Sequence, residues 1–259
     1  MTEAAPMIPD QRRESIVQAL HRERVLSFRQ LSDLVGVSQM TVRRDVAVLE
    51  EQGLVQATTG GAKLLSRLVL EPSRAEKATS EIAEKTAIAR AAATRVRDTM
   101  TIYLDAGTTA QAMRPFLEHV RDLTVVTNDI ATVQTFLDHP SADLISVGGR
   151  VDRTNLSTIG RLTRLTLAEL SLDLAFISSS SWDLGHGVTT PVEAKIEAKR
   201  AAVEAAERAV LIADSSKYGR FAKYRALRLA EVAEVITDAA LPDSAADAIA
   251  ATGIEVVRA

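Results

Sequence analysis

Two adjacent arginines, Arg43 and Arg44, lie in the run S-Q-M-T-V-R-R-D at residues 38–45. On one face of a helix, such a pair can reach guanine edges bidentately or pair with phosphate. Ser38, Gln39, Met40 and Thr41 precede them in the same run and are candidates for the same groove. Lys63, with Arg67 nearby, is the cation that follows. A second group of chemistry-bearing residues sits in short runs, each after an apolar segment. These are D-A-G-T-T (105–109), T-N-D (127–129), G-G-R (148–150), S-S-S-S-W-D-L-G-H-G (178–187) and D-S-S-K-Y-G (214–219). Small hydroxylated residues, glycines, Asn, Arg and Lys together suit a phosphorylated, hydroxyl-rich ligand. Backbone N–H groups and Thr hydroxyls at a helix N-terminus hold phosphate. Lys217 and Arg150 can add charge, and Asp105 and Asn128 can bond sugar hydroxyls. Lys199 falls on one helical stripe with Val192, Ile196 and Val203, so it either snorkels outward or meets an anion. Glu197 lies on a different face of that helix.

Recognisable elements position the first group. Ser27 and Gln30 form an S-x-x-Q capping box opening a helix, whose buried face is expected from Leu31, Leu34 and Val35. Gly36 ends that helix, and Ser38 can cap the next. In the second helix Val42, Val46 and Leu49 fall at i, i+4 and i+7 and make one side core. Met40, Arg44 and Ala47 occupy the other side, with Thr41 and Arg43 at its margins. An earlier helix at 11–20 carries Ile16, Val17 and Leu20. Two strand-like runs around a Thr/Gly turn at 54–64 read as a hairpin wing. The pattern predicts a winged helix-turn-helix DNA-binding domain over 10–65, after a disordered tail at 1–9. A linker is expected at 66–80, with an α/β domain over 81–259.

Within the larger domain, strand-like runs occur at 101–105, 123–127, 144–147, 174–178, 209–213, 234–237 and 254–257. Helical stretches lie at 81–97, 110–118, 130–137, 162–170, 192–207 and 243–250. Alternating β and α, with near-continuous apolar strands, predicts a mostly parallel sheet covered by helices. Ligands of open α/β sheets bind at the carboxyl ends of strands. The five polar runs all belong to that edge.

Composition sets bounds. The 259 residues suffice for one small and one larger domain, and 25% charged with 46% hydrophobic is ordinary for a globular protein. No apolar run reaches membrane-spanning length, and the first residues are not those of a secretory signal. The chain has no cysteine and only 4 His, so neither disulfides nor a structural zinc site is expected, and a cytoplasmic location fits. Residues 1–70 carry nine Lys/Arg against eight Asp/Glu, a balance of +1, whereas 71–259 carry 22 against 26, a balance of −4. A DNA-binding half this weakly basic needs dimerisation to bind tightly.

The first motif resembles that of DeoR-family bacterial regulators, S-x-x-T-[IV]-R-R-D followed by L-x-x-L-E-x-x-G. Ser38, Thr41, Val42, Arg43, Arg44 and Asp45 match, and Leu49, Glu50, Glu51 and Gly53 extend the match. The wing departs from the family. Gln56, Ala57, Thr58 and Thr59 stand where basic residues and a His often precede the Gly-Gly. The second set of runs resembles the family's effector domain. Its D-x-G-T-T matches Asp105, Gly107, Thr108 and Thr109; its T-N matches Thr127 and Asn128; its G-G matches Gly148 and Gly149. D-S-S-K-[FY]-G matches residues 214–219, and E-x-K-R matches Glu197, Lys199 and Arg200. The resemblance implies a fold like ribose-5-phosphate isomerase for the larger domain and a phosphorylated sugar as effector.

The expected function is sequence-specific transcriptional regulation. A homodimer or homotetramer would bind operator DNA as a repressor of a carbohydrate operon, relieved by a phosphorylated sugar, with no cofactor and no metal. The expected effector residues are Asp105, Gly107, Thr108, Thr109, Thr127, Asn128, Gly148, Gly149, Arg150, Glu197, Lys199 and Lys217. The alternative is a sugar-phosphate isomerase fused to a DNA-binding module. Isomerisation needs a carboxylate base and an electrophile at the C1–C2 unit, roles in which Asp105, Glu197 and Lys217 could be cast. No closely spaced carboxylate pair appears in the polar runs. A third possibility is a larger domain that serves only as an oligomerisation platform.

Overall fold

The computed structural model describes residues 7–23, 25–51, 54–64 and 66–259. Gly53 of the family motif, residues 1–6 of the expected tail and Leu65 lie outside the described residues. The chain forms two compact units, residues 1–67 and 68–259.

The first unit runs α1 (Pro9–Glu23), β1 (Val25–Ser27), α2 (Phe28–Val35), α3 (Gln39–Glu51), β2 (Val55–Thr58) and β3 (Gly61–Leu64), with β4 (Ser66–Leu68) at the boundary. Helix α1 starts at Pro9, where proline's missing N–H costs nothing. The three antiparallel strands order as β1-β3-β2. A two-residue Thr59–Gly60 turn joins β2 to β3, since Thr58 pairs with Gly61. A Cβ on Gly61 would lie 2.1 Å from the Leu26 carbonyl oxygen, so only glycine lets β1 approach. The core joins Ile16, Leu20, Phe28, Leu31, Val35, Val42, Val46, Leu49 and Val55. Leu34 departs from expectation and is 45% exposed. Phe28, Leu31 and Val35 form the stripe that faces inward, and Leu34 is rotated off it.

The second unit opens with α4 (Arg74–Thr79) and α5 (Ile82–Ala93), then β5 (Thr101–Leu104), α6 (Thr108–Gln111), β6 (Thr124–Thr127), α7 (Ile130–Phe136) and β7 (Asp143–Ser146). It continues with β8 (Arg150–Asp152), β9 (Ser157–Ile159), α8 (Arg161–Ala168), β10 (Leu172–Ser178), β11 (Ser181–Asp183), β12 (Gly187–Thr190), α9 (Lys195–Glu204) and β13 (Ala206–Ile212). The last elements are β14 (Arg220–Ala222), β15 (Tyr224–Leu227), β16 (Glu234–Thr237), α10 (Asp243–Ala250) and β17 (Glu255–Arg258).

Seven strands form one sheet in the order β17-β16-β13-β10-β5-β6-β7. Every pairing in it is parallel. All seven correspond to the strand-like runs of the sequence. Both faces are buried, with Ile102, Leu104, Phe176 and Ile212 on one side and Tyr103, Ile177 and Leu211 on the other. Helix α5 covers the first face, while α9 and α10 cover the second. Strand order reverses between β5 and β10, which creates a crevice at their carboxyl ends. No helix among the described residues is long and apolar enough to cross a membrane.

The segment read as a linker, 66–80, is mostly part of the second unit. Residues 68 onward belong there, and α4 is fixed by Arg74, whose Nη1 lies 2.9 Å from Asp129 and whose Nη2 donates to Gln111 Oε1 at 2.7 Å. Composition could not show this, because the anchoring partners, Gln111 and Asp129, lie 37 and 55 positions away.

Candidate functional sites: a recognition helix and a cationic cleft

Local sequence builds the helix-turn-helix. Ser27 Oγ accepts from Gln30 N at 3.1 Å and Gln30 Oε1 accepts from Ser27 N at 2.9 Å, completing the capping box. Gly36 ends α2 in the left-handed region, φ +68°, where glycine is unstrained. Ser38 Oγ accepts from Thr41 N at 3.3 Å and caps α3. Val42, Val46 and Leu49 are buried, which leaves Gln39, Met40, Arg43, Arg44 and Ala47 exposed on α3. The Arg43 guanidinium carbon sits 4.1 Å from the centroid of the Phe28 ring, so a cation–π contact orients it. Arg44 is exposed beside it.

The third charged residue of the motif has a different role. Asp45 is buried and accepts from Arg12 Nε at 2.5 Å and from Arg12 Nη2 at 3.1 Å. This bidentate pair fastens α1 to α3. Glu50 Oε1 accepts from Ala57 N at 2.8 Å and ties the wing to the end of α3. Lys63 lies on β3 opposite Gln56, half-buried.

In the second unit a cleft of about 590 Å³ opens at the carboxyl ends of β5 and β10. Asp105, Gly107, Thr108, Thr109, Asn128, Lys199 and Lys217 line it, as the sequence led us to expect for their runs. Glu71, Lys77, Lys195, Ser157, Thr189 and Thr190 line it too, and sequence reasoning missed them. Glu71 arrives from the segment between β4 and α4 and the others from α4, α9, β9 and β12, none of which carries a strand-end signature.

Three expected ligand contacts are committed to the protein itself. Lys199 is buried and its Nζ donates to Asp105 Oδ2 and, at 2.7 Å, to the Ser178 carbonyl oxygen. Asp105 Oδ2 also accepts from Ser178 N at 3.0 Å. The anion that Lys199 meets is thus Asp105, and the pair clamps β5 to β10 across the crevice. The buried stripe of α9 is Ala198, Lys199, Ala201 and Ala202, while Val192, Ile196 and Val203 are only half-buried. Asn128 Oδ1 accepts from Ala106 N at 3.0 Å and from the Tyr103 hydroxyl at 2.8 Å, and its Nδ2 donates to Thr158 O at 2.9 Å. With both ends used, Asn128 shapes the 105–109 loop.

Other residues fall outside the cleft lining. Thr127 is fully buried and donates to Leu104 O at 2.7 Å. Gly148 O accepts from Thr163 Oγ1 at 3.0 Å, and a Cβ on Gly149 would lie 2.2 Å from that same oxygen, so the Gly-Gly pair seats α8. Arg150 and Glu197 border a separate open groove with Gly160 and Ile196. Helix α6 has only four residues, too short for a strong dipole, so the positive field of the cleft comes from lysines.

Four lysines, Lys77, Lys195, Lys199 and Lys217, face two carboxylates, Glu71 and Asp105, among the lining residues. Behind the lining, Asp214 pairs with Lys217 at 2.9 Å and Asp152 lies 3.5 Å from Lys195, so the ammonium groups converge on the cleft while part of their charge is compensated. Glu71 accepts from Lys77 Nζ at 2.5 Å, from Lys195 Nζ at 2.6 Å and from Ser180 Oγ at 2.9 Å. Burial pushes the Glu71 carboxyl up, but Lys195 and Lys77 override burial and hold it down at about 2. Burial pushes Lys77 down to about 8, with Glu71 opposing and Lys195 and Lys217 reinforcing the shift. Ser157 Oγ and Ser178 Oγ are buried in the lining without a hydrogen-bond partner among the described residues. Trp182 is fully buried on β11, packed edge-on to Tyr218 at 4.9 Å, beside but not in the lining.

Residues 12–67 match the DeoR-like helix-turn-helix domain and residues 80–239 match the DeoR C-terminal sensor domain. The chain belongs to the DeoR family of DNA-binding transcriptional regulators. It is 41% identical to the uncharacterized HTH-type transcriptional regulator YgbI of Escherichia coli, over 94% of this chain and 95% of that protein. It is 31% identical to the transcriptional repressor AccR of Agrobacterium fabrum, over 88% of each. Ribose 5-phosphate isomerase A of Methanocaldococcus jannaschii aligns with a TM-score of 0.38 at 17% identity, covering 52% of this chain and 53% of that one.

Proposed function

We propose that this regulator represses an operon of carbohydrate metabolism and that a phosphorylated, hydroxyl-rich metabolite binds the cleft of the second unit and relieves the repression. The convergence of four lysine ammonium groups on one cleft at the strand ends carries this reading. Lysine ammonium groups are donors suited to a phosphate dianion, and the unpartnered hydroxyls of Ser157 and Ser178 supply neutral bonds of the kind a polyol needs. Gly107, Thr108 and Thr109 complete the wall; a Cβ on Gly107 would meet Ser178 Oγ at 2.5 Å, so the loop approaches as closely as a backbone can.

For the first unit, we assign Ser38, Gln39, Met40, Thr41, Arg43 and Arg44 to the major groove and Lys63 to phosphate. A unit this weakly basic binds a two-fold operator as a homodimer or a larger even oligomer. Sedimentation of the protein with and without operator tests that assignment.

An isomerase reading is disfavoured by the carboxylates. A general base needs a pKa near the working pH. Glu71 is held at about 2, and Asp105 is consumed by Lys199 and Ser178 N. Screening sugar phosphates for a rise in melting temperature, for loss of operator binding and for turnover separates the readings. A ligand that stabilises the protein and releases operator without turnover supports the sensor. Turnover supports the isomerase, and an empty screen supports an oligomerisation platform.

A further inference from the structure

Glu71 is an oddity in a site suited to anions. It comes from the segment that leads directly out of the DNA-binding unit, and it is the carboxylate around which Lys77 and Lys195 close. Its neighbours give it no company in the cleft, since Val69 is 72% exposed and Leu70 is 81% exposed. The chain is pinned again only at Arg74, through Asp129, Gln111 and a bond from Arg74 N to Thr154 O at 3.0 Å. Pro72 and Ser73 separate that anchor from Glu71.

The Glu71 carboxylate has the charge sign of a phosphate and takes two lysines and a serine hydroxyl as partners, the donors expected to hold phosphate oxygens. A phosphate seated on Lys77 and Lys195 would lie against the Glu71 carboxylate, and the repulsion between the two anions makes them compete for the same ammonium groups. We propose that Glu71 is a built-in stand-in for the effector's phosphate, which must displace it and so frees residues 69–72, the stretch between β4 and the Arg74 anchor. This inference rests on the sensor reading above and adds its regulation. Competition from Glu71 sets a threshold for the ligand, because binding must be strong enough to break two buried ion pairs. Displacement also gives the ligand a differential effect on two arrangements of the chain, which any coupling between sites requires.

The test uses the full chain and inorganic phosphate at pH 7. Glu71→Gln keeps the side-chain shape and removes the competing charge. Calorimetric titration should show phosphate binding at least about tenfold tighter in Glu71→Gln than in the unaltered protein. Equal or weaker binding in the variant, with measurable binding in the unaltered protein, overturns the stand-in and leaves the sensor reading in place. Phosphate binding to neither protein overturns both.

A second measurement does not depend on the variant folding. The chain has no cysteine, so Leu70→Cys, at an exposed position, accepts a single spin label. Saturating phosphate should increase the mobility of that label. Phosphate binding that leaves the label's spectrum unchanged overturns the proposal.

Discussion

Arg12 and Asp45 form a bidentate ion pair between the first helix and the recognition helix, with Nε–Oδ2 at 2.5 Å and Nη2–Oδ1 at 3.1 Å. Both side chains are largely buried, at 11% and 5% exposure. In the R-R-D run two adjacent arginines face outward, while the aspartate faces inward and holds the helix that presents them. Replacing Asp45 by Ala strands the Arg12 guanidinium against the core. The expected cost is about 2–3 kcal/mol in the first unit. Calorimetry of the full chain should show the transition of that unit moving to lower temperature, and an unmoved transition would refute the structural role.

Arg43 and Arg44 should separate in their side effects. Either change to Ala should weaken operator binding by about 1–3 kcal/mol if the arginine reads a base bidentately. Arg44 is exposed, so Arg44→Ala should leave the melting temperature alone. Arg43 also stacks on Phe28, so Arg43→Ala should in addition cost about 0.5–1 kcal/mol of stability. Operator affinity unchanged in both variants would remove α3 as the reading helix.

Most of the framework is legible from periodicity. Seven apolar runs in the sequence are the seven strands of the parallel sheet, because strands buried on both faces need nearly continuous apolar residues. The capping box at Ser27 and the turn at Gly36 are local, so spacing alone reveals them. The cleft was legible only in part. Asp105 and Lys217 follow strands and carry that signature, but Glu71, Lys77 and Lys195 are ordinary charged residues until the fold brings them together. Asp105 and Asn128 have the right types for sugar hydroxyls, yet folding assigns them to Lys199, Tyr103 and Thr158. Leu34 shows the same limit on a smaller scale, because a helix with four apolar residues in eight offers more than one possible buried stripe.

The Lys199–Asp105 pair should behave as a unit. Lys199→Met leaves Asp105 buried beside Ser178 without its countercharge, and the cost should be about 3–5 kcal/mol. Adding Asp105→Asn to that variant removes the stranded charge while keeping an acceptor for Ser178 N. The double variant should recover most of the loss in urea unfolding. Additive costs would show that the two residues do not interact across the crevice.

Glu71 should give the second unit an acid-sensitive component. Its carboxyl titrates near 2 in the folded chain against an ordinary value of 4.5. A depressed carboxylate stabilises fully above the ordinary value, and that contribution disappears as the pH falls from 4.5 towards 2. The unaltered protein should therefore lose more stability between pH 6 and pH 3 than Glu71→Gln does. Parallel urea curves for the two proteins at both pH values would contradict the ion-pair assignment.

Lys77 should set the alkaline limit of effector binding. Burial, with the repulsion of Lys195 and Lys217, brings its ammonium down to about 8. A phosphate monoester gains its second charge near a pKa of about 6. Affinity should rise as the ligand becomes a dianion, hold between these values, and fall from about pH 8 upward as the free protein loses the Lys77 proton. Bound phosphate favours the ammonium, so ligand uptake above pH 8 must be accompanied by proton uptake, measurable as a buffer-dependent binding enthalpy. Lys77→Arg keeps a permanent charge at the position. That variant should keep the acidic limb of the profile and lose the alkaline one. An alkaline limb that persists unchanged in Lys77→Arg would assign the titration to another group and remove Lys77 from the phosphate site.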